Sequence, residues 1–281
     1  NALIFYLSSN PENTRGYYKY SIYIVKKGET DINNAITSTS TIGQLLITND
    51  VDTPKVKFFS VTNNYKDKII VEWDYNSAYR YKLVYIEEGS VEENPISQEE
   101  MDAILKDKVD GDTISYTHIT ESGTKRSYKI YPTSSQTETN LPILTGSTLA
   151  IPQVENSNLF HEKIALNWNE IEADTFDISA KYQNSSTANA NPIESVKLNV
   201  EELKSLEQNP FEYTFNNPTG FDKVSVSGLP IDITVKANKQ VTKQILKLEN
   251  VEAESIEEMY SISDENLDYT ESTETKITTK T

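Results

Sequence analysis

The 281-residue chain contains no cysteine. Disulfide frameworks and thiol chemistry are therefore excluded, although the absence separates neither a cytosolic, a virion nor a Gram-positive surface setting. Histidine occurs twice, as His118 and His161, and no H-E-x-x-H, Walker loop, G-x-G-x-x-G or G-x-S-x-G is present. Zinc and nucleophilic catalysis lose their usual side chains. No run of 18 apolar residues occurs, so no segment reads as a membrane-spanning helix. Basic residues are scarce, 26 against 43 acidic ones, and the net charge of −17 opposes binding to nucleic acid or anionic membranes. The first residue is Asn1, not Met, inside a strand-like ALIFYL, which reads as a fragment or a processed product.

What is present is strand-forming and repetitive. Tyrosine occurs 17 times, and aromatics make up 10% of the chain, which argues against disorder. In KDKIIVEWDYNSAYRYKLVY, Ile69, Val71 and Trp73 alternate with Lys68, Ile70 and Glu72; Tyr81, Leu83 and Tyr85 resume the alternation after a turn. HEKIALNWNEIEADTFDISAKY repeats the arrangement without a gap. Ile69 matches Ile164, Val71 matches Leu166, Trp73 matches Trp168, Tyr81 matches Phe176 and Leu83 matches Ile178, always 95 residues apart. Those are the two tryptophans of the chain, and 95 residues is the size of one β-sandwich module.

The duplication divides the chain into four. Residues 1–50 read as the closing strands of a preceding sandwich, since YYKYSIYIV lines up with KRSYKIYPT, and STIGQLLIT with ILTGSTLAI. Residues 51–152 form one complete module and 153–240 a second. Each carries a short inserted helix: Ser97 and Glu100 make a capping box ahead of Met101, Ile104 and Leu105, and Asn199 with Glu202 repeats the cap, with Leu203 and Leu206 facing inward. Such a helix covers a sheet edge. In the second module the late strand reads as Lys223–Ser227, placing Val224 where the first has Tyr128. Beyond Asn238 the alternation decays, and 241–281 reads as an acidic extended tail or linker.

A tryptophan ending the second strand, a Tyr-x-Leu-x-Tyr third strand, and a Tyr-led RSYKIYPTS after a glycine turn resemble fibronectin type III repeats. The likeness covers about 55–152 well and 154–238 less well. It implies an all-β fold of tandem immunoglobulin-like sandwiches, and it specifies no function by itself.

Single residues point to little chemistry. His118 falls at an outward-facing register of its strand, and His161 precedes the repeated strand. Asp50-x-Asp52, Asp107-x-x-Asp110-Gly-Asp112 and Asp264-Glu265-x-x-Asp268 lack calcium-loop spacing and read as turn residues. Tyr17, Tyr20 and Tyr23 read as strand formers. No residue is assigned a catalytic, cofactor-binding or metal-binding role, and no cofactor is expected. The expectation is a non-enzymatic structural or attachment component of a tailed-bacteriophage virion, whose partners are other structural proteins in multiple copies. A cell-surface glycan or receptor is a further candidate partner. The alternatives are a bacterial surface adhesin, for which LPILTG at 141–146 is one residue too long a sorting signal, and the accessory module of a polysaccharide-degrading enzyme.

Overall fold

A computed structural model describes residues 18–24, 37–43, 54–134, 138–160, 163–182, 194–216, 230–251, 253 and 255–280. The strands are, in order, β1 (Tyr18–Ile24), β2 (Thr37–Gly43), β3 (Phe58–Tyr65), β4 (Lys68–Asp74), β5 (Arg80–Glu87) and β6 (Asn94–Pro95). After helix α1 (Gln98–Leu105) come β7 (Thr113–Ile119), β8 (Lys125–Thr133), β9 (Leu144–Thr148), β10 (Val154–Phe160), β11 (Lys163–Trp168), β12 (Thr175–Tyr182) and β13 (Glu194–Asn199). Helix α2 (Val200–Ser205), β14 (Glu212–Asn216), β15 (Pro230–Leu248), α3 (Ile256–Met259) and β16 (Tyr260–Lys280) complete the chain.

Two hydrophobic cores lie in tandem, as the all-β reading requires. In the first, β3, β4 and β7 face a second layer ordered β6-β5-β8-β9. Alternation decides what each strand buries: Ile69, Val71 and Trp73 are fully enclosed, and so are Leu83, Tyr128 and Ile130 from the opposite layer. Strand β3 pairs with β4 through Phe59–Val61 and then runs parallel to β9 at Asn63 and Tyr65, joining the two layers. Gly146 on β9 makes that approach possible, because a Cβ there would lie 2.5 Å from Val61 Cγ1 and 2.7 Å from Ile69 Cγ2.

The second core repeats the plan with β10-β11-β14 in one layer and β13-β12-β15-β16 in the other. Trp73 and Trp168 occupy equivalent places, each beside the first aromatic of the next strand: Trp73 lies 6.0 Å from Tyr81, and Trp168 lies 5.0 Å from Phe176, between ring centroids. Neither indole N–H has a hydrogen-bond partner. Both helix caps form as expected, Ser97 reciprocally with Glu100, and Asn199 accepting from the Glu202 N–H. Leu206 departs from expectation. It is exposed just past the end of α2, and Val200 is the buried residue of that helix.

The carboxyl-terminal region overturns the largest expectation. Residues 241–281 are no loose acidic tail: β15 runs through to Leu248, and β16 pairs with it along nearly its whole length. The alternation decays because β16 is an edge strand with most side chains in solvent; among the described residues of its second half, Thr273 and Thr279 are the buried ones. The late strand of the second sandwich is therefore β15. Its Ile233 pairs with Ala180 as Tyr128 pairs with Tyr85, which replaces the Val224 alignment. Lys223–Ser227 and the Asp50-x-Asp52 pair lie outside the described residues. Of residues 1–50, the described part is the antiparallel β1–β2 pair.

Candidate functional site

Two features of the described residues stand out from what a sandwich needs. The first is a polar group at the end of the first core where the chain leaves β9 for the second. His118 shares its face of β7 with buried Ile114 and Tyr116 and pairs with Ile69, so its register is inward, not outward. The error arises from reading β7 without its partner; exposed Ile119 occupies the outer face.

Three residues of the opposite layer, Tyr85, Arg126 and Tyr128, meet this imidazole, and Glu87 holds the arginine. The His118 Nδ1 lies 2.9 Å from the Tyr128 hydroxyl, and its Nε2 lies 2.9 Å from Arg126 Nη1. Arg126 also donates to Glu87 through Nε at 3.0 Å and Nη2 at 2.7 Å, a bidentate pair, with its guanidinium 4.8 Å above the Tyr85 ring. Tyr85 meets His118 edge-on, at 4.8 Å between centroids. Burial, then the nearby Arg126 charge, push the His118 pKa below its ordinary value. Burial likewise raises the Tyr128 phenol, and bonding to Glu87 holds Arg126 above its ordinary value against burial. Both imidazole nitrogens are engaged, by Tyr128 and by Arg126, and the guanidinium is held by Glu87; the group latches one layer to the other.

Its counterpart in the second sandwich is apolar. Phe215 pairs with Ile164 where His118 pairs with Ile69, and Ala180 and Ile233 stand where Tyr85 and Tyr128 do. The fold can thus close this end with hydrocarbon alone, so the polar group is a specific property of the first module.

The second feature is the β15–β16 ribbon, which serves both cores. Ile231 to Asn238 pair with β12 and complete the second sandwich; Thr242–Lys247 then pair with the outer edge of β3 in the first. A bulge falls at the crossing, where one residue of β15, Val241, faces three of β16 between Asn266 and Thr270. Tyr269 of that bulge lies 5.9 Å from the Tyr65 ring, and Asn64 Nδ2 donates to the Gln240 carbonyl at 3.0 Å.

At its far end the ribbon enters the first core. Leu246, Met259 and Tyr260 are buried among its residues, with Leu248, Ala253 and Ile256 packed beside them. Burying each of those large side chains contributes roughly 1.5–3 kcal/mol. The Tyr260 hydroxyl donates to the Val56 carbonyl at 3.0 Å and accepts from the Val56 N–H at 3.2 Å. Burial outweighs the Val56 contact and raises the Tyr260 pKa to about 12.

The remaining sequence candidates resolve as structure. Asp110 accepts from the Ser77 N–H at 2.6 Å, tying its loop to the β4–β5 turn, and Asp112 accepts from the Val109 N–H at 3.0 Å within its own turn. Asp264 pairs on the ladder with Gln244, and Glu265 binds Lys247 at 3.1 Å. In LPILTG, Leu141 is buried and Leu144 opens β9, so the segment is core. Tyr20 and Tyr23 fall on β1, while Tyr17 and His161 lie outside the described residues.

No family model matches the chain, and no curated protein does. Solved structures similar to it include a two fibronectin type-III domain segment from chicken tenascin, 13% identical over 80% of this chain and 99% of that one, with a TM-score of 0.31. The FN1–FN3 domains of chicken CNTN1 are 14% identical over 78% and 71%, with a TM-score of 0.27. A cytokine receptor complex is 9% identical over 63% and 82%, at 0.26. The strand order and pairing described above define the class: tandem fibronectin type III-like β-sandwiches.

Proposed function

We propose that the protein is a non-enzymatic structural or attachment component, a stiff tandem unit set among other copies and other structural proteins. The observation that carries this reading is the shared β15–β16 ribbon, which completes one sandwich and edges the next. Relative motion is the default for tandem modules, whereas this joint opposes it, as a stiff structural unit requires. The β1–β2 pair matches β8–β9 in kind, which supports taking 1–50 as the closing half of a further module, 51–152 as the first complete one, and 153–240 with its ribbon as the second.

The finer reading is a part of a tailed-phage virion, where weak contacts repeated over many copies supply avidity. Its sequence support is the combination of duplicated sandwiches, sparse catalytic side chains and strong negative charge, which holds neighbouring copies apart except at specific contacts. Gold-labelled antibody against residues 54–280 should decorate particles at symmetry-related positions in electron micrographs. Labelling of uninfected bacterial walls would move the protein to the adhesin class. Hydrolysis of a polysaccharide by the purified chain would overturn both readings.

A further inference from the structure

We propose that the β15–β16 ribbon is a mechanical splice: tension along the molecule passes through it, and the two sandwiches rupture as one unit. The inference rests on the structural reading above but adds a force-transmitting role to it.

The argument is one of strand direction. Strands β3 and β16 are both antiparallel to β15, so they run parallel to each other on either side of it. Tension applied before β3 draws that strand toward its amino end, and tension applied late in β16 draws that strand toward its carboxyl end. The two pulls are opposed along the common axis, with β15 between them. Antiparallel ladder bonds lie perpendicular to the strands, so both ladders are loaded in shear and their bonds resist together. From Lys247↔Phe58 to Thr242↔Asn63, the β3–β15 ladder has no interruption. The β15–β16 ladder continues past the bulge to Pro230↔Lys280.

The alternative route for tension is the covalent connection between the cores, and the ribbon grips that too. The Thr273 hydroxyl donates to the Ala150 carbonyl at 2.6 Å, and the Thr275 hydroxyl donates to the Pro152 carbonyl. Any stretch of that connection must first break contacts with β16. At the far end, buried Met259 and Tyr260 anchor the ribbon tip beside Val56, at the point where β3 receives the pull.

The full chain, free of native thiols, takes cysteine handles cleanly. In Lys55→Cys/Lys276→Cys the pull is along the shear axis. In Lys55→Cys/Val251→Cys the handles sit where the native chain brings residues 55 and 251 together, and the pull peels β3 from the ribbon one bond at a time from Lys247↔Phe58. Optical-tweezers rupture should need a higher force on the shear axis than on the peel axis. At about 3.5 Å per extended residue, the shear axis should release everything between the handles, roughly 770 Å of contour, in one step. Equal forces on both axes would overturn the splice. So would two steps on the shear axis with the first core, 55–149, released separately as roughly 330 Å. Two-step rupture alongside positive particle labelling would leave the structural role standing and remove the splice alone.

Discussion

Arg126 Nη1 lies 2.9 Å from Nε2 of His118, and because a guanidinium can only donate, this nitrogen must be the acceptor. The imidazole proton then sits on Nδ1 and is donated to the Tyr128 oxygen. His118 is thereby held neutral in the folded chain, among Tyr85, Tyr116, Glu87, Arg126 and Tyr128, with the Glu100 charge also acting on it.

A pH dependence follows from that arrangement. The folded pKa is depressed below the ordinary 6.5, so the unfolded chain binds the extra proton first as pH falls. The stability that the neutral imidazole provides is complete above pH 6.5 and is lost on acidification through the window from there down to the folded pKa. Denaturant unfolding in that window should show the loss, and His118→Gln, which keeps an acceptor without titrating, should flatten it. An unchanged slope in that variant would assign the effect to carboxylates.

Deleting the indole of Trp73, fully enclosed in the first core, should cost about 3–5 kcal/mol. Because Leu246, Met259 and Tyr260 share that core, the damage should spread along the ribbon. Hydrogen exchange in Trp73→Ala should therefore accelerate at Thr242–Leu248 as well as in β4. Protection of the ribbon at its original level would show the first core to be energetically separate.

Gly146→Ala should destabilise the chain by overpacking, about 1–3 kcal/mol, because the new methyl group meets Val61, Ile69 and the Thr62 carbonyl. Gly89→Ala meets nothing within 4 Å and carries only the strain of a φ near +76°. Thermal melts of the pair should rank Gly146→Ala as the more damaging of the two.

Tyr260→Phe keeps the ring and removes the hydroxyl, leaving both polar groups of buried Val56 without this partner. A cost of about 1–3 kcal/mol is expected. The loss should appear as faster exchange of the Leu248 N–H, which donates to the Lys57 carbonyl at 3.0 Å, while β12 stays protected.

The first half of each repeat was legible because burial there is one-sided and periodic: Ile69, Val71 and Trp73 announce a strand whose alternation their copies repeat. The second half was not. The spacing between equivalent residues grows from 95, Trp73 to Trp168, to 105, Tyr128 to Ile233, so a constant offset fails at β15. The polar group around His118 needed pairing partners to be seen, because one strand alone cannot say which face is covered. The ribbon was hidden for a different reason. What holds β16 is its ladder with β15, whose partners lie 12 to 50 residues upstream, while its own side chains are those of a solvated edge.

The pairing of β15 with β3 also bears on inheritance. A recombination event cutting between the cores, after Pro152, would separate β3 from the strand that covers its edge and would strip Leu246, Met259 and Tyr260 from the first core. The transplanted module would arrive with an open sheet edge and an unfilled interior, both prone to aggregation. These two repeats can be shuffled through descendants only as a pair.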